Sequence, residues 1–321
     1  MDAATTELLR ESIGRAVRAP GTEAVEAALH DLGWREALLA EGTAAVALLF
    51  AEQGAANATS GAIDDVLAAA LGITPGPDVA VVLPAFGRHT PPGRVTDGRV
   101  GLAGLGTPRL MKADRAVVVA ADGDGHQAAL VPAAHLRAVP VGGIDPGLGL
   151  LRVEGGIDLS DWSAAAAVDW SAAVAAGQVA LAYELAGAGR AMLSLAVQHA
   201  LTRVQFDRPI ASFQAVRHRL ADSLLAIEAA EAATNQAAEA EAADPVLAGI
   251  AKALAGRGAR TAAGHCQQVL AGIGFTTEHG FHHHLRRVLA LDGLLGDART
   301  LTRELGETLV RERRLPAAPA L

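Results

Sequence analysis

Residues 203–222 read RVQFDRPIASFQAVRHRLAD, in which an arginine and two phenylalanines precede a strongly periodic helical pattern. The guanidinium of Arg203 is a planar fork of N–H donors that can grip a diphosphate through two hydrogen bonds. Phe206 and Phe213 offer flat apolar surface for a ring system. These side chains together predict part of a site for a large phosphorylated ligand.

The helix that follows is expected to start near Phe213, with Ser212 as its N-cap. Gln214 then lies in the first turn, where free N–H groups and the helix dipole favour an anion. Further along, an apolar stripe is predicted for the buried face of this helix. The stripe consists of Val216, Leu220, Leu224 and Ile227.

A second segment, QQVLAGIGFTTEH at residues 267–279, complements the first. Gly272 and Gly274 allow the backbone to approach a ligand closely, because glycine has no Cβ. The interval between Arg203 and Gly272 is long enough for two antiparallel helices. We therefore expect the two segments to meet at one end of a helix bundle.

The composition limits the class of protein. The chain has 321 residues, of which 51% are hydrophobic and only 3% aromatic, with a formal net charge of −8. Much of the apolar content is alanine, which favours closely packed helices. No basic stripe is present to neutralise nucleic-acid phosphates, so nucleic-acid binding is not expected. The single cysteine, Cys266, suits a reducing cytoplasm.

Three parts follow one another along the chain. Residues 1–76 are predicted to be an N-terminal helical domain, punctuated by glycines such as Gly42 and Gly54. Residues 77–160 contain short valine runs between Gly- and Pro-rich turns, which indicates a small β domain. Residues 161–321 are predicted to be a helical bundle, with helix already at Trp162. No segment is apolar enough to suggest a membrane span or a signal peptide.

With these features in place, the chain resembles the acyl-CoA dehydrogenase family over its whole domain order. The C-terminal half carries the resemblance in AYELAGAGRAMLSLAVQHALTRVQFDRPIASFQAVRHRLAD and QQVLAGIGFTTEHGFHHHLRR. The expected fold is mainly α with a small β domain and a C-terminal four-helix bundle. The resemblance implies FAD as cofactor, an acyl-CoA thioester as substrate and an oligomeric assembly.

The resemblance also assigns residues to the flavin. It implies that FAD, in particular the FAD of a neighbouring subunit, is contacted by Arg203, Phe206, Phe213, Gln214, Gln268 and Gly272. An electron-transfer flavoprotein-like protein is a candidate electron acceptor. The expected reaction is α,β-desaturation, in which a carboxylate base removes the α-proton while the β-hydride passes to the flavin.

The base is where the chain departs from the family pattern. Family members keep the glutamate on one of two elements, and counting places Gly296 and Gly177 at those positions. Glu184, two helical turns beyond Gly177, and Asp222, on the next helix, are the candidate bases. The alternative is that both are structural, Glu184 as a buried carboxylate and Asp222 as a charge on a helix face.

A second departure lies in the β domain, where VVLPAFGRHTPPG replaces the family's flavin contacts. The chain resembles a short subunit of the two-subunit steroid-type dehydrogenases of actinobacteria. Two functions are therefore open: an FAD-dependent dehydrogenase, or a non-catalytic subunit that supports the flavin of a catalytic partner. A third possible function is that of a homo-oligomeric helical binding protein that has lost flavin.

The histidines of the segment EHGFHHH raise the question of a metal site. His279 and His283 have the i, i+4 spacing of two ligands on one helix face. No further carboxylate or cysteine follows at ligand spacing except Glu278. We therefore predict that these histidines are polar residues at a helix start and that no metal site is present.

Overall fold

The chain folds into helices at both ends and a small sheet between them. The structure is a computed structural model that describes residues 3–96, 99–123, 125–158, 162, 165–240 and 243–313. The predicted fold class, mainly α with a small β domain and an acyl-CoA dehydrogenase-like order of parts, is confirmed.

The N-terminal part is built from four helices. Helix α3 is bent at Gly42, whose φ of 36° and ψ of −99° lie outside the helical region. Gly54 does not end a helix, as the sequence suggested, but lies inside α3 where that helix meets the bundle. A Cβ on Gly54 would lie 2.0 Å from the carbonyl oxygen of Glu184, so only glycine permits this crossing. The four helices are α1 (Ala3–Ala16), α2 (Thr22–Asp31), α3 (Trp34–Ala56) and α4 (Ala62–Ala70).

The β unit is one sheet in which β5 is central. Strands β1 and β3 both pair in parallel with β5, at different points along it, while β6 pairs with it antiparallel. The order across the sheet is β7-β8-β4-β3-β5-β6-β9, with β2 on β4. The strands are β1 (Val79–Val81), β2 (Leu83–Pro84), β3 (Gly93–Thr96), β4 (Arg99–Gly106), β5 (Arg115–Asp122), β6 (Gly125–Pro132), β7 (Arg137–Pro140), β8 (Leu151–Asp158) and β9 (Ala166–Ala167).

Strand alternation divides the apolar residues of the sheet between two cores. Val79, Val81 and Val117 belong to the large core that also contains the helices. Ala80 and Val118 point the other way, into a second core inside the β unit. Successive side chains of a strand face opposite sides, so both faces of β1 and β5 are buried. The sheet is thus fixed against the helices, which sets its loops beside the bundle.

The C-terminal part is a helix bundle around α5, which is buried along most of its 33 residues. Aspartates cap three of its helices: the side chains of Asp169, Asp244 and Asp297 accept from backbone N–H groups of the first turns. The helices are α5 (Trp170–Thr202), α6 (Gln214–Ala238), α7 (Pro245–Leu270), α8 (Phe281–Asp292) and α9 (Ala298–Glu312). A hairpin of β10 (Val204–Gln205) and β11 (Arg208–Pro209) joins α5 to α6.

Two details of the bundle differ from the sequence predictions. The helix predicted from Trp162 begins only at Trp170, because β9 first pairs with Gln127 and Ala128 of β6. The predicted stripe on α6 was also partly wrong. Leu224 is 40% exposed, whereas Ile227 is buried as predicted. The other buried residues of α6 are small: Ser223, Ala230, Thr234 and Ala237. Small side chains let α6 approach its neighbours closely, which leaves Leu224 on the outside.

The division into domains at residues 76/77 and 160/161 stays a prediction. The second boundary falls on residues 160 and 161, which lie outside the described residues. Across the described ranges, none of the helices combines the length and the apolar character needed to cross a membrane.

Candidate functional site

The hairpin after α5 presents the first predicted ligand segment. Its two-residue turn consists of Phe206 and Asp207, both left-handed, with φ of 54° and 60°. Phe206 is 86% exposed, and its ring lies edge-on to that of Phe213 with centroids 6.0 Å apart. The guanidinium carbon of Arg208 lies 4.3 Å above the Phe213 ring centre. The rings therefore form a fixed platform that faces outward.

Arg203 lies at the junction of α5 and this hairpin. Its N–H donates to the His199 carbonyl over 2.8 Å, and its carbonyl accepts from the Ile210 N–H over 2.8 Å. The backbone is thus fixed on both sides, while the side chain is exposed. A fixed backbone and an exposed guanidinium together suit the binding of an anion.

The start of α6 corrects one prediction. Ser212 is not the N-cap: it ends a 3₁₀ turn over Ile210–Ser212, and Phe213 is the extended residue that precedes the helix. No side chain caps α6, so Gln214 stands at an open helix start. The buried Oγ of Ser212 has no hydrogen-bond partner among the described residues. An uncapped helix start beside an unpartnered hydroxyl leaves donors available to an anionic ligand.

The second predicted segment forms the end of α7 and a 3₁₀ turn over Ala271–Phe275. Gln268 and Gly272 are exposed, and a Cβ on Gly272 would meet nothing within 4 Å. The left-handed residue is Ala271, with φ of 53°, rather than either glycine. Gly274 is buried against Leu270. Of the two glycines, only Gly272 leaves open space for a ligand.

Both segments lie at the same end of the bundle. Burial lowers the pKa of His199, at the end of α5, and the charges of His279 and Arg203 add to the shift, so these groups are neighbours. Val204, Phe206, Ile273 and Phe275 are exposed there, Phe275 at 73%. Exposed apolar side chains clustered around polar groups are typical of a surface that another protein covers.

Glu184, the first candidate base, is locked inside the protein. Its carboxylate lies 3.7 Å from the guanidinium of Arg287, which also donates to Asp145 over 2.6 Å and to Thr59 over 2.9 Å. Burial raises the pKa of Glu184 to about 7, opposed by the charge of Arg287 and a hydrogen bond with Gln53. The cavity it lines measures about 30 Å³, the space of roughly one water molecule. Glu184 therefore ties α5 to α8 and to the N-terminal helices.

Asp222, the second candidate base, is exposed on α6. Tyr183 bonds Asn235 over 2.8 Å and Arg190 bonds Glu231 over 2.8 Å, which fixes α5 and α6 antiparallel. Asp222 lies 13 residues before Asn235. That separation is roughly 20 Å along the bundle from the level of Glu184. The two candidate bases therefore do not belong to one site.

The two positions that the sequence predicts for the family's base, Gly177 and Gly296, are glycines whose side-chain space is filled. A Cβ on Gly177 would lie 2.4 Å from Leu295 and 3.0 Å from Leu67. A Cβ on Gly296 would lie 2.9 Å from Leu301, and the φ of Gly296, +96°, is one that other residues rarely adopt. Neither position can take a glutamate without rearrangement of its surroundings.

A buried lysine donates hydrogen bonds to the backbone of the loop that carries Gly296. Lys252 of α7 is fully buried and donates to the carbonyls of Asp292 and Gly296 over 2.9 and 3.2 Å. Burial lowers its pKa to about 8, against the attraction of Asp292 and Asp297. Lys252 was not predicted from the sequence, although a lysine between two alanines in an apolar helix indicates a buried position.

A cavity of about 370 Å³ separates the sheet from the bundle. It is lined by apolar residues, including Val174 and Leu301, and by a polar pair in which His89 Nε2 and Glu304 Oε2 lie 2.7 Å apart. His89 Cδ2 is 3.4 Å from the Cβ position of Gly296. Sequence reasoning missed this pair because its members are more than 200 residues apart.

The raised pKa of Glu184 leads to a prediction for Glu184→Gln. The folded chain keeps this proton up to about pH 7, whereas the unfolded chain loses it near 4.5. The contribution of Glu184 to stability is therefore present below pH 4.5 and lost as the pH rises through 7. The free energy of unfolding, measured with urea, should therefore rise in the variant by roughly 2–3 kcal/mol relative to wild type as the pH increases from 4.5 to 8.

Burial also raises the pKa of Asp64, to about 6. The stability of both proteins therefore still falls somewhat as the pH rises. Asp222→Asn, on the exposed face of α6, is the matched control and should stay within about 0.5 kcal/mol of wild type. Parallel stability curves for wild type and Glu184→Gln would show that folding does not raise the pKa of Glu184.

The chain is similar to known proteins along most of its length. Residues 170–309 match the model of the acyl-CoA dehydrogenase C-terminal domain. Over 121 residues the chain is 45% identical to acyl-CoA dehydrogenase FadE34 of Mycobacterium tuberculosis, which is 36% of this chain and 17% of that protein. It is 39% identical over 127 residues to IpdE2 of the same organism, 40% of this chain and 39% of the relative. The matched stretches thus span less than half of these two relatives.

A longer match is the acyl-CoA dehydrogenase IpdE2 of Mycolicibacterium smegmatis. The two chains are 29% identical over 315 residues, which is 93% of this chain and 97% of the relative. The similarity therefore extends through the N-terminal helices and the β unit.

Solved structures share the fold. The Tcur3481–Tcur3483 steroid acyl-CoA dehydrogenase (G363A variant) has a TM-score of 0.79 at 23% identity, over 96% of this chain and 97% of that one. The ChsE4–ChsE5 complex of M. tuberculosis has a TM-score of 0.72 at 23% identity, over 97% and 89%. A glutaryl-CoA dehydrogenase of M. smegmatis, solved with FADH2, has a TM-score of 0.71 at 16% identity, over 98% and 97%. Residues 170–309 thus match the acyl-CoA dehydrogenase C-terminal domain, and over nearly its whole length the chain is similar to an acyl-CoA dehydrogenase of M. smegmatis.

Proposed function

We propose that this chain is the flavin-supporting subunit of a hetero-oligomeric, FAD-dependent acyl-CoA dehydrogenase, in which a partner subunit supplies the catalytic base. The observation that carries the proposal is the filling of both base positions. Leu295 occupies the side-chain space of Gly177, and Leu301 that of Gly296. A carboxylate at either place would collide with a buried leucine.

The open end of the bundle fits the diphosphate and rings of FAD. Arg203 and the uncapped start of α6 at Gln214 offer donors to phosphate oxygens. Phe206 and Phe213 offer aromatic surface, and Gly272 leaves room for a close approach. The unpartnered Oγ of Ser212 lies beside them. Bound there, FAD would supply the hydride acceptor of the desaturation, and this chain would hold and orient its diphosphate.

A partner chain is favoured by where these residues lie. The platform faces outward, and the exposed Leu224 and Leu225 continue the apolar surface along α6. Two structural neighbours are described as complexes of two different chains. We infer an acyl-CoA substrate, with a steroid-derived acyl group as the first class to test. An electron-transfer flavoprotein-like acceptor completes the proposed reaction.

Co-expression tests the proposal. Purified alone, the chain should be colourless. Purified with a catalytic acyl-CoA dehydrogenase subunit that binds it, it should form a yellow complex that an acyl-CoA bleaches. The flavin-to-chain ratio from absorbance and the chain stoichiometry from native mass spectrometry are the measurements. A yellow oligomer of this chain alone that an acyl-CoA bleaches would refute the flavin-supporting role.

A second candidate function is a self-sufficient dehydrogenase with Glu304 as base. It is favoured by the His89–Glu304 pair, because His89 stands beside the Cβ position of Gly296 and the pair lines a cavity of about 370 Å³. Glu304→Gln separates the two candidates. Flavin reduction by an acyl-CoA should be lost if Glu304 is the base, and it should be unchanged if this chain is the flavin-supporting subunit.

A further inference from the structure

An open groove on the bundle is lined by arginines from two facing helices. Arg257 and Arg260 of α7 stand on one side, and Arg299 and Arg303 of α9 on the other. The groove has a volume of about 910 Å³, and Leu289 and Gly293 at the end of α8 contribute to its lining. This local concentration of positive charge contrasts with the net charge of −8 for the whole chain.

The carboxylates in the groove are already engaged. Asp292 accepts from Arg260 over 3.2 Å and from the N–H of Ala298 over 3.1 Å. Asp297 caps α9 through Thr300 and the N–H of Arg299. Arg260 thus balances the charge of Asp292, and the four arginines outnumber the two aspartates in the lining of the groove.

Two of the four guanidiniums are available. Arg303 pairs with Glu304 and Glu307 of its own helix. Arg257 and Arg299 are exposed, and neither forms an ion pair with any residue that the structure describes. One available guanidinium thus stands on each wall of the groove.

We propose that this groove binds a nucleotide that carries two phosphate groups. A guanidinium matches phosphate with two parallel hydrogen bonds, which is why arginine is preferred for phosphate recognition. Ligand sites commonly measure about 300–1,000 Å³, so a nucleotide fits the volume. The nucleotide of coenzyme A has such a diphosphate and a 3′-phosphate in addition, and this choice of source rests on the proposed function; the diphosphate of FAD is assigned above to Arg203.

Isothermal titration of the full chain with ADP tests the groove. Wild type should bind ADP at low salt, and Arg257→Gln/Arg299→Gln should weaken binding by about tenfold or more, since each lost charged contact is worth about that factor. Arg311→Gln, an exposed arginine near the end of α9, is the matched control and should bind like wild type. Thermal melts of each variant confirm that the fold is retained.

A titration with coenzyme A then tests the source, because the natural ligand should bind more tightly than ADP. No heat of binding with ADP up to about 1 mM, or equal affinity in wild type and the double variant, would overturn the proposal. Failure of the groove is thus distinguishable from failure of the flavin-supporting role, which flavin retention in the complex reports.

Discussion

Replacement of Arg203 with alanine is expected to lower the flavin content of the co-expressed complex by about tenfold or more. The guanidinium is the fixed cation of the proposed diphosphate site, and its loss removes a pair of charge-assisted hydrogen bonds. The side chain is exposed and its backbone bonds to His199 and Ile210 do not depend on it. The variant should therefore fold and assemble normally.

The measurement is the ratio of flavin to protein absorbance after gel filtration. Arg203→Lys should retain an intermediate amount of flavin, because an ammonium keeps the charge but lacks the planar fork. Arg311→Ala, on the outer end of α9, is the control for a lost surface arginine. Wild-type flavin content in Arg203→Ala would exclude Arg203 from the cofactor site.

Gly177→Glu, which restores a carboxylate where some family members keep their base, is expected to abolish the folded state. The new side chain would overlap Leu295 and Leu67 in the large core. It would also bury a charge without a partner. Overpacking and an unpaired buried charge together should cost more than about 4 kcal/mol, which is a large part of the stability of a typical domain.

Gly306→Glu is the matched control, since Gly306 lies in α9 with nothing within 4 Å of its Cβ position. Urea unfolding followed by circular dichroism should show Gly306→Glu within about 0.5 kcal/mol of wild type. A soluble Gly177→Glu protein with wild-type stability would mean that an acyl-sized space exists beside this helix.

Most of the secondary structure could be predicted because its signals are local. Pro245 after a polar turn predicts the start of α7, and the valine runs predict β1 and β5. The predictions that failed depend on tertiary contacts. Gly54 resembles a helix end, yet its lack of a Cβ serves the approach of α3 to α5. Leu224 fits a helical stripe, yet small residues form the packed face.

The candidate site divides in the same way. The Arg203 hairpin and the 271–275 turn lie at one end of the bundle, as expected from the length of the intervening helices. Their contact with FAD remains a prediction, as does the role of Glu184 or Asp222 as base. His89 and Glu304 could not be paired from the sequence, because the fold of the sheet against α9 brings them together.

Single-turnover reduction of the flavin by an acyl-CoA, followed by stopped flow, tests the location of the base most directly. The co-expressed complex is compared with one whose copy of this chain carries Glu184→Gln, Asp222→Asn and Glu304→Gln. Equal rates of bleaching are predicted, because the proton acceptor belongs to the partner chain. A fall of about a hundredfold or more, the usual cost of losing a general base, would place that acceptor in this chain.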